Sequence, residues 1–124
     1  MGAATYRRVM TWFKARRYPD APVTPSRALD STFTPDAAKW VLCTYTIQIV
    51  AAAGTSALVE LRSDAATPPT TVRCSVTLSV TGAGDSDTVQ AQLVYLCPPG
   101  DNVRLVSSGT ATPTIAHQTE TAMM

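Results

Sequence analysis

The chain has 124 residues, enough for one domain with a real core and too few for two. Only 15% of residues are charged against 45% hydrophobic, lean beside the ~25% charged of ordinary domains, and this predicts a neutral exterior covered in part by copies of itself. The net charge of +1 hides an asymmetry: residues 1–17 carry five basic side chains and no acid, whereas the rest carries five basic residues against nine acids. The latter part lacks the basic surface that nucleic acid as a main partner requires.

The basic stretch comes first in chain order. Residues 4–17 permit a short helix, because Tyr6, Val9, Met10 and Phe13 follow the spacing of one apolar helical face. Arg7, Arg8, Lys14, Arg16 and Arg17 are interleaved with these residues and with Trp12. The pattern suits an arm, extended or as a short helix, that docks in a partner groove. The arginines interrupt any apolar h-region of an export signal, and no run approaches the ~20 apolar residues of a membrane span. Tyr6 stands where a myristoylation signal wants Ser or Thr. Pro19, Pro22 and Pro25 then make an extended linker. The expected division is residues 1–25, basic arm and linker, and residues 26–124, a β-domain.

From Ser26 onward strands alternate with turns. Residues 27–33 suit a short first strand, stopped by Pro35 and Asp36. Residues 39–50 form the clearest strand: Val41, Cys43, Tyr45, Ile47 and Ile49 share one face and Thr44, Thr46 and Gln48 the other. After a turn at Gly54, Ala57, Val59 and Leu61 alternate with Glu60 and Arg62. Residues 64–69 read as a loop. Residues 70–80 alternate cleanly, with Val72, Cys74, Val76, Leu78 and Val80 expected inward. A Gly-rich turn over 81–87 precedes Val89, Ala91, Leu93 and Tyr95, and Pro98-Pro99-Gly100-Asp101 is a strong stop. Val103 with Leu105, then Ile115 with His117, mark two last strands. Seven or eight strands spaced roughly ten residues apart favour an all-β fold, an antiparallel β-sandwich or jelly roll.

No catalytic constellation emerges. His117 is the one imidazole and has no acidic neighbour before Glu120, so it reads as a surface or interface histidine, not a general base. Asp85 and Asp87 lack the continuation of a calcium loop and read as a solvated turn. Cys43, Cys74 and Cys97 contain no CxxC pair, and an odd count argues for free thiols over a zinc site or a disulfide framework. The expectation is a binding or structural module, not an enzyme, with no cofactor and no metal.

Residues 26–33 (SRALDSTF) and 41–49 (VLCTYTIQI) resemble the opening of small tailed-bacteriophage structural proteins, which pair R-x-L-N-S-x-F with an alternating Y-S-V-x-I strand. Residues 95–114 (YLCPPGDNVRLVSSGTATPT) resemble the Y-V-P-A-G-x-x-V-R-L-x-x-x-G-T-G-T-P-T segment of the same proteins. Asp30 replaces the usual Asn, Pro98-Pro99-Gly100 replaces Pro-Ala-Gly, and residues 57–87 are compressed. The resemblance covers most of residues 26–117 and leaves the arm outside it. It implies a virion-associated, trimeric jelly roll of the tumour-necrosis-factor or C1q type, on phage heads or fibres. The leading expectation is a capsid-decorating homotrimer whose arm, through Tyr6, Arg7, Arg8, Met10, Trp12, Phe13, Lys14, Arg16 and Arg17, grips the major capsid protein or another virion protein. The alternative is a tail-fibre or receptor-binding tip whose loops grip a host surface glycan or protein. Loops almost free of aromatic residues favour the first.

Overall fold

The computed structural model describes residues 21–81 and 87–123. These form seven strands and no helix: β1 (Thr32–Phe33), β2 (Trp40–Ala51), β3 (Ser56–Asp64), β4 (Val72–Ser79), β5 (Asp87–Cys97), β6 (Asn102–Gly109) and β7 (Thr114–Met123). They build two sheets, ordered β1-β6-β3-β4 and β5-β2-β7, in which every pairing is antiparallel. The expected antiparallel β-sandwich is what the chain forms. Only β3 to β4 is a hairpin within one sheet; each other connection crosses to the opposite layer.

Period-two alternation explains the core. On β2 the face of Val41, Cys43, Tyr45, Ile47 and Ile49 is buried, and it meets Val59, Leu61, Val103 and Leu105 of the other sheet. Leu78 of β4 and Leu93 of β5 are also buried. Each such aliphatic side chain contributes about 1.5–3 kcal/mol through removal from water. Along one side the sandwich is closed by β4 against β5, where the Cys74 thiol approaches the Val94 carbonyl at 3.9 Å.

Two bulges alter the expected phases. Leu61 pairs with Cys74 but Arg62 pairs with Val72, so Arg73 is an extra residue in β4. Val72, expected inward, is therefore turned out and is 45% exposed. On β7, Thr46 pairs with His117 but Ile47 with Ile115, leaving Ala116 as the extra residue. Ile115 consequently packs against the core while His117 faces outward. A bulge shifts side chains to the opposite face because the strand period is two.

The turns follow the residue chemistry. Asp36 Oδ1 accepts from the amides of Ala38 and Lys39 at 2.8 and 3.0 Å, and its carbonyl accepts from Gly100. Gly100 adopts φ 79°, so the proline-proline-glycine stop is a tight turn that needs its glycine. Asp64 gathers the β3–β4 loop by accepting from the amides of Ala66, Thr70 and Thr71. The Asn102 amide donates to Ala66 O and Thr67 Oγ1, each at 2.9 Å, and ties the same loop to β6.

Candidate interaction surface

The nine residues expected to bind a partner, Tyr6, Arg7, Arg8, Met10, Trp12, Phe13, Lys14, Arg16 and Arg17, lie outside the described residues, as does Asp85. What is described is the segment that follows them, and it is anchored to the sandwich. Val23 exchanges both backbone hydrogen bonds with Glu120 of β7, at 2.9 Å each. The Arg27 amide donates to Gln118 Oε1 at 2.8 Å. Asp30 holds a left-handed backbone, φ 60°, a conformation that Asp and Asn tolerate better than other side chains. Its carboxylate accepts from the Ser107 amide and hydroxyl at 3.0 and 2.6 Å. Burial raises the Asp30 pKa, but these Ser107 bonds and the nearby Arg104 outweigh it and hold the carboxyl below its ordinary range.

The centre of this attachment is a buried polar cluster. Arg27 donates from Nε and Nη2 to Glu120 Oε2 and Oε1 at 2.9 and 2.8 Å, a bidentate pair. The Tyr45 hydroxyl donates to Glu120 Oε2 at 2.7 Å. Arg27 also covers the Phe33 ring at 4.4 Å, and Phe33 meets the Tyr45 ring edge-on at 6.1 Å. The hydrogen bond to Glu120 raises the Arg27 pKa, and burial pushes the Tyr45 hydroxyl up, so one stays charged and the other protonated. These bonds join the leading segment to β2 and β7 through one carboxylate, which is the geometry of a structural clamp. Cys43, Cys74 and Cys97 are free thiols; burial pushes the Cys43 thiol up to about 12 and makes it a poor nucleophile at neutral pH. Among the described residues no cluster of His, Cys, Asp and Glu could hold a metal ion, and no helix is long and apolar enough to cross a membrane.

The outer face of the β5-β2-β7 sheet is the surface that sequence reasoning missed. Trp40 and Leu42 of β2 and Val94 and Leu96 of β5 are exposed there. Leu42 sits opposite Leu96, and Thr44 opposite Val94. The sequence signal was present: residues 93–97 (LVYLC) are apolar at consecutive positions, which means apolar side chains on both faces of one strand. His117, opposite Thr46, joins the same outer face, as a surface or interface histidine should.

No protein-family model matches the chain, and no curated protein matches it.

Proposed function

We propose that this chain is a bacteriophage structural protein: a capsid-decorating homotrimer in which the β-sandwich, read as a jelly roll, sits outside the shell and the basic arm grips the major capsid protein. The observation that carries this reading is the anchoring of residues 23–27 along β7 by the Val23 bridge and the Arg27–Glu120 pair. A segment held this firmly transmits load from an arm to a compact body, as a cementing protein requires. The arm supplies apolar anchors, Trp12 and Phe13, beside five positive charges, a combination that suits a pocketed, acidic protein surface. The tail-fibre reading is ranked second because the loops offer few aromatic residues for a glycan.

Deleting residues 1–20, which spares Val23 and Arg27, is expected to leave a folded sandwich that no longer binds capsids in a cosedimentation assay. Full occupancy by the shortened protein would show that the arm is not the anchor. Copies in the hundreds per particle, counted by quantitative mass spectrometry of virions, are expected for a head protein; a handful of copies would favour the fibre reading.

A further inference from the structure

We propose that the outer face of the β5-β2-β7 sheet is the surface against which another copy of this chain packs; this rests on the homo-oligomeric reading above and names its surface. At one end of the face Trp40, Leu42, Val94 and Leu96 form an apolar strip, 44, 38, 54 and 47% exposed. Toward the other end polar side chains predominate beside Val50, itself 62% exposed. Gln92 Nε2 donates to Thr46 Oγ1 at 3.3 Å, and the Gln90 amide donates to Gln48 Oε1. None of the outward positions that β2, β5 and β7 pair across this face carries Lys, Arg, Asp or Glu.

The contrast with the other layer is sharp. There the outer face carries Glu60, Arg62 and Arg104, and Glu60 pairs with Arg62 at 2.8 Å. A solvated sheet face is normally studded with charge in that way. An uncharged face with an apolar strip is the composition of an interface core.

β5 contributes to this surface through its outward side chains, since β4 packs along its other side. Among the described residues β5 pairs only with β2, and its 11 residues carry a single charge, Asp87, at one end. Charge complementarity selects the occupant. Residues 1–17, with five positive charges, would lose hydration against this face and find no anion there. A neutral surface of matching polarity satisfies it, and the same outer sheet face of an identical chain has that composition.

The test uses the purified full chain without capsids. Sedimentation or light scattering is expected to give an oligomer, and Leu96→Glu or Val94→Lys is expected to shift the mass to that of one chain while circular dichroism stays that of a β-sandwich. Val72→Lys, an exposed apolar site on the opposite layer, should leave the mass unchanged. Hydrogen exchange on the unmodified chain adds a second reading: protection of residues 88–96 should rise with protein concentration, even if a variant fails to fold. A monomeric wild type, an oligomer indifferent to Leu96→Glu, or a monomer that associates only after residues 1–20 are removed would each overturn the proposal, the last by showing that the arm covers the face. A monomeric wild type removes the homo-oligomeric reading as well, whereas an oligomer indifferent to Leu96→Glu removes this surface alone, and capsid attachment by the arm enters neither outcome.

Discussion

Glu120 accepts hydrogen bonds from three side-chain donors, two on Arg27 and one on Tyr45, while being only 4% exposed. Its removal strands a guanidinium and a phenol at once. We therefore expect Glu120→Ala to destabilise the fold by about 2–4 kcal/mol, below the upper range for buried pairs because Arg27 keeps some contact with water. Arg27→Lys retains the charge but loses the two-point geometry, and should cost less, about 1–2 kcal/mol. Urea denaturation of both variants checks the order; equal losses would mean that charge alone, not the bidentate fit, holds the clamp. This cluster was not legible in the sequence. Arg27 and Glu120 are separated by 93 positions, and nothing in either neighbourhood points to the other. Asp30 was easier to understand: Asp suits the left-handed backbone that the position adopts.

At the scale of elements, the strands were legible wherever alternation ran undisturbed, and β2 is the clearest case, with each odd position from Val41 to Ile49 buried as its pattern requires. The misreading of Val72 and the placing of Ile115 and His117 on opposite faces have one cause. An added residue at Arg73 or Ala116 reverses the phase, and period-two counting carries no mark of it. The end of β6 shows a tighter constraint. Gly109 has φ 114°, and a Cβ there would lie 2.5 Å from the Ser56 carbonyl oxygen. That oxygen also accepts from the amides of Thr110 and Ala111, so it is not free to move aside. Gly109→Ala should therefore destabilise the protein by about 2–3 kcal/mol, combining backbone strain with displacement of β3. Gly54→Ala, at φ 82° but with open space around it, should cost only about 1–2 kcal/mol. Thermal melts of the two variants separate these contributions; a Gly54→Ala loss as large as that at Gly109 would mean that the close approach to Ser56 is not the deciding constraint.

For the whole molecule, the carboxylates that organise the loops link stability to pH. Asp36 is held below its ordinary pKa first by the Ala38 amide and then by Lys39, Asp64 first by the Thr70 amide, and Asp30 by Ser107 against the opposing effect of burial. A carboxylate whose folded pKa lies below its unfolded value, about 3.9 for Asp, adds stability that is fully present above that value. The contribution is lost as pH falls through the folded pKa, because the unfolded chain then binds protons the native chain does not. The melting temperature should thus change little between roughly pH 5 and pH 8 from these groups and fall steadily below about pH 4. Asp30→Asn isolates one share of this effect. Asn tolerates the same left-handed backbone and its carbonyl still accepts from the Ser107 amide, but it loses the bond from the Ser107 hydroxyl to a charged oxygen, so stability at neutral pH should fall by about what this group loses in acid in the parent. The ionisable group is gone, so the loss between about pH 4 and pH 2 should be smaller in the variant. Paired urea titrations across that range read the difference directly. Identical acid sensitivity in the two proteins would mean that the bond from Ser107 to Asp30 does not favour the charged carboxylate, and that the tie between the leading segment and β6 is indifferent to its protonation.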